Sequence, residues 1–253
     1  MNNPRTPRIA FGKLLLNESK LALRIPIGLV VGIGLPILLL VIFGLIPGAR
    51  EPNSDFGGVS YFVLLYPILV AVTILAQSIN VLPRNLIKYR ETGILRRFSV
   101  TPVPPSWLLA AQIVINLAIA LIGIILLTVV GVAVFGLKPP QDFLGFLLAV
   151  FLTITSLFVI GLFIAAVVRS DALAQGVGGI LFFALLFFGG LWIPRPLMPP
   201  VLLDISNWIP VGACVAVMQN AMQGIALSLQ PLLVLIVYTV ILGYLSVHFF
   251  QWE

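Results

Sequence analysis

Charge is what this 253-residue chain has least of: 9% of its residues are Asp, Glu, Lys or Arg, against 60% hydrophobic. A soluble domain of ordinary composition is about a quarter charged, so that class is excluded. Cysteine is almost absent. Cys214 stands alone, which rules out an intrachain disulfide and any cysteine-based metal site. His248 is the single histidine, which removes His-based metal centres and Ser–His nucleophile relays. No G-x-x-x-x-G-K-[ST] phosphate loop occurs, so the chain binds no ATP by that route. The apolar runs carry no Asp, Glu or Lys in their middles. That argues against a proton- or sodium-coupled carrier, whose coupling depends on intramembrane carboxylates. Enzyme chemistry has little to stand on.

What the chain has is long apolar runs, with a mean hydropathy of +1.17. Several reach the length needed to cross a hydrocarbon core of about 30 Å, so the expected class is an all-α polytopic membrane protein. A β-barrel would show short alternating segments instead. The expected spans are 26–46, 59–82, 107–135, 143–168, 172–193 and 229–250, in one domain over 1–253 without repeat or linker. The basic residues are sorted by loop. Arg5, Arg8, Lys13, Lys20 and Arg24 precede the first span, Arg84, Lys88, Arg90, Arg96 and Arg97 follow the second, and Arg169 lies between the fourth and fifth. Only Arg50, Lys138 and Arg195 fall on the other side. By the positive-inside rule both termini are cytoplasmic, in a cell membrane, and the net charge of +6 is no nucleic-acid signal. The N-terminus lacks the short apolar core and cleavage site of a secretory signal.

Residues 8–25 read as an amphipathic helix on the membrane surface. Lys13, Asn17, Lys20 and Arg24 recur at helical spacing, opposite Phe11, Leu14, Leu15, Ala22 and Ile25. Glu18 falls inside the apolar face, where a solvated rim charge is the expected reading and a buried functional carboxylate the alternative. In the second span Pro67 is expected to bend the helix. Tyr66, Thr73, Gln77 and Asn80 share one face of it, and two readings stay open: interhelical hydrogen bonding or the lining of a transport path. Gln112 and Asn116 form a weaker pair, expected to be packing contacts. The fifth span carries Phe182, Phe183, Phe187 and Phe188, either lipid-facing and core or an aromatic wall for apolar cargo. Gly176, Gly178 and Gly179 before them permit close helix approach, a candidate dimer seam. Five prolines break up 194–228, which reads as a re-entrant element on the outer side, allowed there only under cover of protein or a wet cavity.

The loop after the second span is the most informative stretch. Its basic residues could merely fix topology, but Leu95 and Phe98 are apolar in a segment that must work in water. Thr101-Pro102-Val103-Pro104-Pro105 then forces an extended exit. This favours a structured knob, within 84–102, presented to a partner.

These residues carry a resemblance. Arg90-Glu91-Thr92-Gly93-Ile94-Leu95-Arg96-Arg97-Phe98-Ser99-Val100-Thr101-Pro102 is similar to the cytoplasmic loop R-E-x-G-x-L-x-x-x-x-V-T-P of permease subunits of type-2 ATP-binding-cassette exporters, the family that includes daunorubicin-resistance permeases. A second stretch, Gly190 to Pro194 with Met198-Pro199, Ile205-Ser206 and Ile209-Pro210, resembles that family's proline-rich segment after the fifth span. Ile94 departs from the Thr common in the family. The order of elements agrees along nearly the whole chain.

The resemblance implies a partner ATPase subunit, which holds the ATP and Mg, docked on a coupling helix. Arg90, Glu91, Gly93, Leu95, Arg96, Arg97, Phe98, Thr101 and Pro102 are the implied coupling residues. It also implies a second permease half, identical or related, and a path faced by the second and fifth spans. Tyr66, Thr73, Gln77, Asn80, Phe183 and Phe187 then become candidate contacts for hydrophobic small-molecule cargo, with membrane lipid around. The expected function is ATP-driven export of drugs, antibiotics or lipids, with no cofactor on this chain and no catalysis by it alone. An ATPase-independent channel or carrier, and a non-transport assembly or regulatory subunit, are the alternatives.

Overall fold

The computed structural model describes residues 5–24, 26–94 and 104–250. Nine helices can be drawn among the described residues. They are α1 (Arg5–Arg24), α2 (26–44), α3 (Tyr61–Glu91), α4 (Pro105–Phe135), α5 (Phe143–Val167), α6 (Asp171–Gly189), α7 (Pro200–Trp208), α8 (Pro210–Gln223) and α9 (Leu229–Phe249). The sole strands there are the antiparallel pair Pro52–Asn53 and Val59–Ser60, with Pro52 opposite Ser60. The chain is an all-α polytopic membrane protein. Side-chain oxygens hold helix starts that follow polar linkers: Ser60 accepts from Val63 N at 3.3 Å, Asp142 from Gly145 N at 2.9 Å and Ser170 from Leu173 N at 3.3 Å.

α3 is the hub. Its apolar window is 94% buried inside this one chain, whereas the windows of α4 and α9 are 22% and 17% buried and face outward. α2, α4, α5, α6 and α8 pack around α3, α9 closes on α5 and α8, and α1 lies against α4. The helix that holds the expected second span, 59–82, is longer than that span. The helix continues to Glu91 and takes in the first part of the expected loop. It passes Pro67, where a bend is expected, without leaving the helix.

Two π turns, Val30–Gly34 in α2 and Ala76–Val81 in α3, each end two residues before a proline, Pro36 and Pro83. Proline lacks a donor and its ring crowds the carbonyl four residues back; a locally widened turn lets that carbonyl swing aside. The Ile79 carbonyl, four residues before Pro83, lies against Gly178 of α6, where an added Cβ would sit 3.1 Å away. The Ser78 carbonyl likewise leans on Gly161 of α5, so closely that an alanine Cβ there would overlap the oxygen.

Five of these helices are long and apolar enough to cross a membrane by themselves. α2 is not among them: where 26–46 is expected to span, its continuous apolar helix runs only from Val30 to Gly44. α2 begins with Gly28 accepting from Gln77 Nε2 and ends with Gly44 against Phe135, at opposite ends of α3 and α4. α7 and α8 meet at 98°. Their segment enters from the end of α6, and α8 finishes where Ala221 O and Met222 O accept from Asp142 N and Gln141 N of the α4–α5 connection. Both ends of the bent pair thus lie at one end of the bundle, so the pair dips in and returns.

Candidate functional site

The end of the bundle that carries the basic residues is built around the last turns of α3. Arg84 makes a two-pronged ion pair with Asp171, the first residue of α6, at 2.9 and 3.3 Å. Glu91 Oε1 accepts from the Asp171 backbone N–H at 3.1 Å. Arg90 donates to Ala165 O at 3.1 Å and Val168 O at 3.4 Å, at the C-terminus of α5. Its guanidinium also lies 5.4 Å from the centre of the Phe250 ring. A cation therefore meets the carbonyl end of α5 and a carboxylate the amide end of α6, the signs the two helix dipoles require. Adjacent residues of α3 clamp the Arg169-Ser170-Asp171 turn from both sides.

Gly93 explains the glycine of this motif. The helix stops there with φ +69°, a left-handed conformation that costs other residues strain, and Gly93 N–H closes onto Arg90 O at 3.0 Å. Of the coupling residues named from sequence, Arg90, Glu91 and Gly93 are placed in this way. Leu95, Arg96, Arg97, Phe98, Thr101 and Pro102 lie outside the described residues.

Beside the clamp sits a polar cluster that the sequence reading undervalued. Glu18 is not a solvated rim charge. It is 7% exposed, and its Oε2 accepts from Tyr89 OH at 2.5 Å and Gln112 Nε2 at 2.6 Å. Gln112 Oε1 in turn accepts from Asn85 Nδ2 at 3.0 Å, and Asn116 Nδ2 donates to Gln112 O at 2.8 Å. α1, α3 and α4 are joined here by a buried carboxylate and amides. A carboxylate so enclosed is stable only when bonded, and Glu18 is bonded twice, whereas Asn116 Oδ1 has no partner. The signal was available: Glu18 falls on the apolar face of its helix, and that face is the buried one. Gln112 and Asn116 are the core of this cluster rather than a minor packing pair.

The polar face of α3 points into its own bundle. Tyr66 OH lies 2.7 Å from Thr128 Oγ1, which itself donates to Ile124 O at 2.7 Å, so Tyr66 is the donor. Thr73 donates to Leu69 O at 2.9 Å within its helix, and Gln77 donates to Gly28 O at 3.1 Å while its Oε1 has no partner. These three side chains are buried within one chain, Tyr66 and Gln77 bonded to other helices and Thr73 to its own. Asn80 is half-buried. On α6, Phe183 is 60% exposed, Phe187 is half-buried against Phe188, and Phe182 belongs to the core. Gly176 and Gly179 have open space beside them, whereas Gly178 is used against α3.

At the opposite end, Arg195 holds the corner of the bent pair. It is buried and donates to Ser206 Oγ at 2.6 Å, Asn207 Oδ1 at 2.6 Å and Gly212 O at 3.0 Å. Burial pulls its guanidinium down to about 10, which leaves it charged at neutral pH among three uncharged acceptors. Nothing in the sequence singled this arginine out beyond its being the one basic residue in a proline-rich stretch.

The sequence that builds this arrangement is similar to known proteins. The family model described as "ABC-2 type transporter" matches residues 10–222, from α1 to the last turn of α8. A protein of Bacillus subtilis (strain 168) named "Putative transport permease YvfS" is 23% identical over 180 residues, 70% of this chain and 73% of that protein. The chain belongs to the ABC-2 type transporter family and is a multi-pass membrane permease subunit.

Proposed function

We propose that this permease subunit works in an ATP-driven exporter of hydrophobic or amphipathic compounds, such as drugs, antibiotics or lipids, with hydrolysis carried out by a separate ATPase subunit. The basic end faces the cytoplasm of a cell membrane and both termini lie there. α1 rests in the headgroup layer. The ATPase docks on 84–102, through Leu95, Arg96, Arg97, Phe98, Thr101 and Pro102, and the ATP and Mg belong to it. Two permease halves, identical or related, enclose the path.

The observation that carries the reading is the clamp. Arg84, Arg90 and Glu91 tie the tail of α3 to the turn joining α5 and α6. A push delivered to the docking segment therefore reaches three spans at once rather than one flexible loop, which is what a coupling element requires. In this reading Arg90 and Glu91 transmit movement and the residues beyond Gly93 touch the ATPase. Cargo contacts narrow to Phe183, Phe187 and Asn80. Tyr66, Thr73 and Gln77 keep the hub packed. The uncharged, aromatic surface of α6 favours apolar cargo.

The test is transport of a lipophilic dye in inside-out vesicles that hold this chain together with a cassette-type ATPase subunit. ATP-dependent uptake that needs both proteins supports the proposal. Uptake by the permease alone would replace it with a channel or carrier. Assembly of the two without uptake would favour an assembly or regulatory role.

A further inference from the structure

α1 has two unlike faces. Inward, Phe11 stacks edge-to-face on Trp107 of α4 with centroids 5.6 Å apart, and Glu18 is sealed against Tyr89 and Gln112. Outward, Lys13, Lys20 and Arg24 form one exposed stripe. Leu16 (64% exposed) and Leu23 (68%) flank it on one side and Leu21 (44%) on the other. Exposed leucines beside exposed cations are costly in water. In a headgroup layer the leucines meet acyl chains while the long basic side chains reach phosphate. Three cations with no acidic residue among them on that face match an anionic surface, to which each adds attraction.

The inward face supplies a route for what happens outside. The Glu18 carboxylate bonds Tyr89, and Tyr89 is the neighbour of Arg90 and two residues from Glu91, the side chains that hold the α5–α6 turn. Surface helix, α3 tail and α5–α6 turn are hydrogen-bonded in series. We infer that the outward face of α1 binds anionic lipid headgroups and that Glu18, as a positioning residue, passes the seating of α1 on that lipid to the tail of α3. Anionic lipid then sets how firmly the docking segment is held. The effect on ATP hydrolysis rests on the function proposed above; the lipid response of the α3 tail does not.

The experiment is hydrogen exchange of the purified full chain in nanodiscs of phosphatidylcholine alone or with added phosphatidylglycerol. Peptides covering 82–94 should exchange about tenfold more slowly in the anionic discs, which is about 1.4 kcal/mol, or the attraction of one to two of the three cations passed on to the α3 tail. K13S/K20S/R24S, which leaves the packed face intact, should exchange alike in both lipids. Glu18→Ala should retain lipid-dependent protection of 11–24 and lose that of 82–94; Tyr89→Phe, a milder change should Glu18→Ala fail to fold, should weaken it. Identical exchange of wild-type 82–94 in the two lipids overturns the inference, as does a full response in Glu18→Ala and Tyr89→Phe. A response that arises only after the ATPase is added assigns the face to a protein partner and also overturns it. A lipid response of 82–94 with no ATPase binding leaves this inference standing and removes the docking reading instead.

Discussion

Replacing Arg90 with alanine should loosen the α5–α6 turn by an amount the geometry sets. The change removes two hydrogen bonds from a charged donor, at 3.1 and 3.4 Å, and the cation beside the Phe250 ring. A charged hydrogen bond is worth about 1.5–3 kcal/mol, but the second is long, and Arg90 Nε is already buried without a partner, so the pair is worth about 2 kcal/mol. The ring contact adds about 0.5–1 kcal/mol, and the charge at the C-terminus of α5 about 0.5 kcal/mol. Opening of the turn should therefore become easier by about 3 kcal/mol, and amide exchange at 168–171 faster by about a hundredfold. The Asp171 N–H is the most direct reporter, because its acceptor is Glu91, the next residue in the clamp. Arg90→Lys keeps the charge and loses the fork, so its exchange should fall between alanine and wild type. Exchange unchanged to within about threefold in Arg90→Ala would refute the clamp, since the turn would then be held by something other than α3.

Three further outcomes follow from the packing. Gly161→Ala places a methyl on the Ser78 carbonyl and should lower thermal stability in detergent by about 2–3 kcal/mol, whereas Gly179→Ala, with open space beside it, should change it by less than about 0.5 kcal/mol. Tyr66→Phe should cost about 1 kcal/mol through the lost bond to Thr128 and leave the range of transported dyes unaltered; a changed range would return Tyr66 to the path. Arg195→Ala removes the donor to Ser206 Oγ, Asn207 Oδ1 and Gly212 O and should expose the α7–α8 corner, read as faster exchange at 206–212 with no effect at 165–171.

The spans were legible because each is a long apolar run, and hydrocarbon length leaves little freedom in reading one. The true end of α3 was not. Arg84 to Glu91 look like a loop by hydropathy, yet arginine, lysine and glutamate are good helix formers, and their charges are taken up by α5 and α6, which no local pattern reveals. The π turns were missed for a similar reason. Pro36 and Pro83 are visible, but the room that lets the helix continue through them comes in part from Gly161 and Gly178 on other helices. The inward bonding of Tyr66, Thr73 and Gln77 was one of two open readings, because periodicity identifies a shared face without saying what that face meets. Glu18 shows the reverse: its place on an apolar stripe was the signal, and the general rule that charges stay wet was the weaker guide.

The most direct test of the account is ATP hydrolysis by this chain reconstituted with a cassette-type ATPase subunit, comparing wild type with Arg96→Ala/Phe98→Ala. Stimulation by apolar compounds in the wild type, lost in the double variant while the two proteins still co-purify, is the predicted result. Equal stimulation in both would contradict coupling through the segment that follows α3.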